Sequence, residues 1–263
     1  MAPPPGGEVL LAVDIGNTNI TIGLFKGREL VVSWRLSTDV RRLSDEYGAL
    51  LLNLMAYYGV KSGDVSDAVV CSVVPDLDPV FQDLLRRYLG VHPLWVEAGV
   101  KTGLRILYDS PREVGADRVA DAVAAISLYG APVIVVDMGT ATVLDAIDRD
   151  RSYLGGAIAP GLGVAAEALF QRAAKLYRVE LVRPRLAIGR NTVAALQSGI
   201  ILGYVGLVEG LVSRFKAELG DDARVVATGG YAPLIAPETR VIDHVNPDLT
   251  LIGLRIIHEL NRG

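Results

Sequence analysis

"LLAVDIGNTNITIGLF", Leu10 to Phe25, opens as one buried strand and closes as another, with a carboxylate and a glycine turn between them. The first apolar run ends at Asp14, Ile15 and Gly16; three small polar residues follow, Asn17, Thr18 and Asn19. Two β-rich runs flanking a short polar turn predict an antiparallel hairpin. A buried strand has no packing reason to end on an acid. The turn offers backbone N–H groups and hydroxyls, which suit an anion. The carboxylate beside it suits a cation or that cation's water shell. The plainer alternative is an Asp that only hydrogen-bonds its own turn.

That alternative loses ground at "VIVVDMGTATVLDAI", Val133 to Ile147, where Asp137, Gly139 and Thr140 repeat the arrangement. The surroundings repeat as well. Three β-rich runs (8–16, 19–27, 29–37) precede a helical pattern at 44–59, a strand in "DAVVCSVV" and a helix ending at Gly90. Ser44 is the expected N-cap of the first of these helices. A small-residue helix covers 115–130, and then three β-rich runs recur (132–140, 141–150, 152–161). Helices at 162–177 and 191–219, a strand in "ARVVATGG" and a terminal helix in "LTLIGLRIIHEL" complete the pattern. A β-β-β-α-β-α order used twice predicts an α/β protein of two duplicated lobes, each a mixed sheet with helices. The expected division is a disordered tail at 1–8, a first lobe at 9–118 and a second at 119–263. Two facing Asp-Gly turns would grip a polyphosphate and its metal from both sides.

The 263 residues, 51% hydrophobic and 21% charged, fit globular lobes with sizeable cores. A net charge of −4 without a Lys/Arg block argues against nucleic acid as partner. A single cysteine, Cys71, excludes an internal disulfide and suits the cytoplasm; it reads as a buried small residue. No unbroken apolar run has membrane-spanning length, and "MAPPPGGE" lacks the features of a signal peptide, so no membrane association is expected. There is no G-x-x-x-x-G-K-[ST] loop. His92, His244 and His258 lack metal-ligand spacing. "ATGG" at 227–230 reads either as a contact for adenosine or as an ordinary loop.

"DIGNTN", "GADR", "DMGTAT", "GGAIAPG" and "GRNT" occur in that order. With them the chain resembles the type III pantothenate kinases, over everything after the proline-rich tail. The resemblance implies ribonuclease H-like lobes of the actin-like ATPase fold, with an ATP cleft between them. It implies ATP-dependent phosphorylation of pantothenate to 4′-phosphopantothenate, the first step towards coenzyme A. By position, Asp14, Ile15, Gly16, Asn17, Thr18, Asn19, Ile20 and Thr21 would form the first phosphate loop, and Asp14 would hold Mg²⁺ through water. Gly115, Ala116, Asp117 and Arg118 would line the pantothenate site, with Asp117 as general base. Tyr108 and Thr192 would contact pantothenate, and Thr140 would touch ATP. Asp137 would bind a monovalent cation, K⁺ or NH₄⁺.

The residues are compatible with that chemistry. Phosphoryl transfer needs positioning and charge neutralisation more than covalent help. Asp117 falls in the first turn of a predicted helix, where the dipole favours an anion. Without the resemblance it reads as an N-terminal helix acid, Arg118 as a surface arginine, and Asp121 as a structural carboxylate one turn on. Two other functions compete. A kinase of the same superfamily with another small hydroxylated substrate would keep both Asp-Gly turns without needing "GADR" or "GRNT". A non-catalytic accessory homologue would be marked by loss of Asp14, Asp117 or Asp137, all of which are present.

The 191–219 helix carries Gly199, Gly203, Gly206 and Gly210, which fall on one face. Each costs about 1 kcal/mol relative to Ala in a helix interior. Close approach of another backbone would offset that, from the same lobe or from a second subunit. The expectation is a homodimer, with Val193, Leu196, Ile200, Leu207 and Val208 packing towards the lobe's own sheet. The resemblance implies the same, and a substrate pocket completed by the neighbouring chain.

Overall fold

In the computed structural model, residues 8–173 and 176–262 are described. The proline-rich start up to residue 7 lies outside them, so the expected disordered tail is not addressed. The chain groups into two compact units, 1–103 with 112–124 and 250–263, and 104–111 with 125–249.

The first unit is built on a five-stranded sheet in the order β3-β2-β1-β4-β5. Its strands are β1 (Val9–Ile15), β2 (Asn19–Lys26), β3 (Glu29–Ser37), β4 (Val65–Ser72) and β5 (Leu94–Trp95). β1 runs antiparallel to β2 and parallel to β4, as the hairpin reading requires. Successive side chains of a strand point to opposite faces. Val9, Leu11, Val13 and Ile15 therefore share one face, where they join Tyr47 and Leu51 of α1 (Ser44–Tyr57) and Phe81 of α2 (Asp78–Leu84) in the core. Leu10, Ala12 and Asp14 take the other face, on which Gly23 stands opposite Ala12. Leu251 of α7 (Leu249–Asn261) packs against Gly23, and Gly253 lies on the backbone of Ala120 in α3 (Ala116–Tyr129). Asp14 thus ends a strand on the α3 and α7 side of the sheet.

The second unit repeats the order as β9-β8-β7-β10-β11, with β6 added beside β9. These strands are β6 (Arg105–Ile106), β7 (Val133–Met138), β8 (Ala141–Ile147), β9 (Ser152–Pro160), β10 (Arg224–Thr228) and β11 (His244–Val245). Asp137 pairs with Thr228 of β10 as Asp14 pairs with Cys71 of β4. Ile134, Val136, Met138 and Leu144 face α5 (Thr192–Leu219), where Ile201, Tyr204, Val205, Val208 and Val212 complete the core. Leu162 at the start of α4 (Leu162–Arg172) and Ala232 and Ile235 of α6 (Ala232–Ile235) join them.

Three details differ from expectation. Ser44 is the first helical residue rather than the cap: the N-cap is Leu43, whose N–H donates to Glu46 at 2.9 Å, while the Ser44 hydroxyl donates to Asp83. The helix expected over 162–177 ends at Arg172, and residues 174 and 175 lie outside the described ones. On α5 the expected inward face is met in part: Leu196 and Val208 are buried, while Val193, Ile200 and Leu207 are half-buried, the last two beside the glycines. α5 is long and apolar enough to cross a membrane by length and composition alone. Ile201, Tyr204, Val205, Val208 and Val212 of this helix belong to the second core.

Candidate active site

In the first unit the β1–β2 hairpin closes by a Gly16 N–H bond to the Asn19 carbonyl at 3.1 Å. A Cβ on Gly16 would crowd that same carbonyl at 2.9 Å, so glycine lets the turn close. Thr38 anchors the turn from outside, its hydroxyl donating to the Gly16 carbonyl at 2.6 Å and its N–H to that of Thr18 at 3.0 Å. Asn17, Thr18 and Asn19 are exposed, and Asp14 and Thr21 are half-buried and directly paired across the strands. Ile15 and Ile20 are fully buried, so these two expected loop residues offer backbone only.

Asp117 stands in the first turn of α3 and accepts from the Arg118 N–H at 2.8 Å. A Cβ on Gly115 would collide with its carboxylate, which gives glycine a local reason in "GADR". Gly115, Ala116, Asp117 and Arg118 are all half-buried. The Cys71 thiol, fully buried, donates to Asp14 Oδ1 at 3.3 Å. Burial pushes this thiol well above its ordinary pKa, and Asp14, Asp117 and Asp121 add to the shift in that order. Asp14 of β1 touches this thiol directly, and Asp117 of α3 adds its negative charge from further off. Asp121 has the structural partner expected of it, accepting from the Thr250 hydroxyl at 2.7 Å. Cys71 is a contributor that the sequence reading assigned only to packing.

In the second unit the Gly139 N–H donates to the Ala141 carbonyl at 3.0 Å, forming the corresponding turn. Asp137 is half-buried and Thr140 exposed. Gly229, with φ +87°, lies so close that a Cβ would strike Asp137 Oδ1 and the Met138 backbone. Glycine there keeps room beside the carboxylate, and "ATGG" accordingly abuts the second Asp turn. The Tyr108 ring lies edge-on to Tyr153, at 6.4 Å between centroids, and covers Gly155. Thr192 is exposed at the start of α5, next to the Asn191 cap that accepts from Ala194 N–H at 2.9 Å.

Among the described residues no group of three or more His, Cys, Asp or Glu is placed to hold a metal ion. Single carboxylates at turns of small residues suit ions that keep most of their water, Mg²⁺ above all, or weakly held monovalent cations.

The family model described as type III pantothenate kinase matches residues 10–214. A type III pantothenate kinase of Moorella thermoacetica is 54% identical over 96% of this chain and 100% of its own length. Another from Dehalococcoides mccartyi is 50% identical over 97% of both chains. Among solved structures, ethanolamine utilization protein EutJ of Carboxydothermus hydrogenoformans superposes with a TM-score of 0.55 at 11% identity, covering 98% of this chain and 92% of that one. Component A of the Acidaminococcus fermentans (R)-2-hydroxyglutaryl-CoA dehydratase gives 0.52 at 14%, covering 95% and 97%. These likenesses carry the fold, the duplicated α/β lobes of the actin-like ATPases.

Proposed function

The chain belongs to the type III pantothenate kinase family; it transfers phosphate from ATP to pantothenate, the first step of coenzyme A synthesis, and we propose that Asp117 is the general base of that transfer. What supports this assignment is placement within the first unit: Asp14 ends β1 on the face of the sheet where α7 packs, α7 lies on the backbone of α3, and Asp117 stands in the first turn of α3. A base has to stand where the acceptor hydroxyl meets the phosphate-binding turn. Asp117 orients the hydroxyl of pantothenate and takes its proton as the new P–O bond forms. Arg118 pairs with the substrate carboxylate or a phosphate. Gly115, Ala116 and Tyr108 shape the pantothenate site, and Thr192 contributes to it.

The turn from Asp14 to Thr21 takes the phosphates through backbone N–H groups and the Thr18 hydroxyl. Asp14 holds Mg²⁺ through water; when bound, the ion offsets the charge on the phosphate oxygens. Asp137, with the space that Gly229 leaves, takes K⁺ or NH₄⁺, and Thr140 touches ATP. The enzyme works in the cytoplasm as a homodimer. Support for the dimer comes from α5: among the described residues, nothing lies within 4 Å of where Cβ atoms on Gly199, Gly203 and Gly206 would stand. Gly199 and Gly203 line an apolar groove of about 520 Å³ between α4 and α5. Among the described residues these three glycines thus meet no packing partner.

Measuring ATP consumption with and without pantothenate, in K⁺ and in Na⁺, tests the whole reading. Pantothenate-dependent turnover that needs K⁺ supports it. Turnover indifferent to pantothenate overturns it.

A further inference from the structure

Tyr204 lies on the buried face of α5, and its Oη stands 2.7 Å from Thr142 Oγ1 on β8. Tyr204 is 5% exposed and Thr142 not at all. The Thr142 hydroxyl also donates to the Pro160 carbonyl at 3.2 Å. A hydroxyl has one proton to give. Because Thr142 gives its proton to Pro160, it accepts from Tyr204, and the chain runs from Tyr204 through Thr142 to Pro160. Burial pushes the Tyr204 phenol upward, which keeps it a donor.

Pro160 ends β9 and leads into Gly161. The Gly161 N–H donates to the Thr140 carbonyl at 3.2 Å, and a Cβ there would strike the carbonyls of both Gly139 and Thr140. From the opposite end, the Tyr231 N–H donates to the Met138 carbonyl at 3.1 Å, and Gly229 abuts the Asp137 carboxylate. The turn from Asp137 to Thr140 is thus held on two sides by backbone. The Tyr204–Thr142 pair pins the strand end that supplies one of them. Thr142 stands opposite Met138 on the α5 side of the sheet, and Asp137 points to the other side. The pair therefore acts on the turn through the backbone rather than by touching what the turn binds.

We propose that Tyr204 is a positioning residue for the second Asp-Gly turn: its hydroxyl fixes Thr142 and Pro160, and through Gly161 sets the Gly139 and Thr140 carbonyls beside Asp137. The inference rests on the assignment of Asp137 to the monovalent cation and Thr140 to ATP. It adds a residue, remote from both ligands, on which their binding depends.

Tyr204→Phe removes one oxygen and keeps the ring in place. Thr142→Val removes the other partner, Thr142→Ser restores it, and the double variant closes a cycle. Turnover gives the half-saturating K⁺ and the KM values for ATP and pantothenate. The rise in Tm caused by K⁺ with a non-hydrolysable ATP analogue gives a readout independent of turnover. Losing one buried hydrogen bond should raise half-saturating K⁺ and KM for ATP about fivefold in Tyr204→Phe and in Thr142→Val. The double variant should be no worse than either, and the ligand-induced Tm rise should shrink in step. KM for pantothenate should change less than about twofold, and Thr142→Ser should behave as wild type. A Tyr204→Phe enzyme with lowered Tm but unchanged K⁺ and ATP constants overturns the proposal, as do effects that multiply in the double variant. Asp137→Ala separates the two levels. If it keeps the wild-type K⁺ response, the assignment of Asp137 fails and takes this inference with it. If it loses the response while Tyr204→Phe keeps it, only this inference fails.

Discussion

The Cys71 thiol donates to Asp14 Oδ1 across the parallel β1–β4 pair, whose register sets the two residues side by side. A neutral thiol is a donor to the carboxylate; a thiolate there would face the negative charges of Asp14, Asp117 and Asp121. The arrangement holds the Asp14 carboxylate at the strand end and keeps the thiol protonated.

The sign of its pH dependence follows. The folded thiol pKa lies above the unfolded value of about 8.5, so the folded state holds its proton longer. The associated stability is fully present below about pH 8.5 and is lost as pH rises towards the folded value. Wild type should therefore lose stability in alkaline buffer more steeply than Cys71→Ala, as read by urea midpoints between pH 7 and 10. Parallel curves for the two would show that the thiol is not the group responsible.

Asp117→Asn should keep the fold and lower turnover about 10²–10⁴-fold, the usual contribution of a positioned base. Circular dichroism and steady-state kinetics read the two halves of the claim. Near-wild-type turnover would remove Asp117 from the chemistry.

Gly229→Ala places a methyl group against Asp137 and the Met138 backbone, at a φ that L-residues resist. It should abolish the K⁺ response together with most activity, as Asp137→Ala should. Titration with K⁺, NH₄⁺ and Na⁺ checks this. Equal rates in all three cations for wild type would count against a cation at Asp137.

Gly203→Leu meets open space among the described residues, so its fold should survive. On a dimer packed along the glycine face it should split the dimer and lose pantothenate binding together. Sedimentation velocity and calorimetry decide it. A dimer that persists, or a fully active monomer, would refute the assembly.

Gly253→Ala tests packing alone. A Cβ there would collide with the Ala120 backbone, where α7 meets α3. It should destabilise by about 1–3 kcal/mol, the usual cost of overpacking, seen as a lower urea midpoint. An unchanged midpoint would mean that α7 moves freely away from α3.

Local residue patterns suffice for the two hairpins, the two Asp-Gly turns and the repeated order of elements. These are local: period-two apolar runs, a glycine where the chain turns back on itself, and small polar residues between, all lie within fifteen or so positions. The order of the motifs also pointed to the family. Tertiary structure alone decided what stands beside each turn. The grouping of α7 with the first unit depends on Gly253 admitting the Ala120 backbone, a contact between distant residues. The two-residue strands β5, β6 and β11 carry too few residues for any periodicity and exist only by pairing with a neighbour. Cys71 read as packing until register placed it opposite Asp14. Glycines and aliphatics surround α5, so its pattern picks out Leu196 and Val208 correctly, but only the sheet beneath it buries Ile201, Tyr204 and Val205 while leaving Ile200 and Leu207 half-exposed beside the glycines.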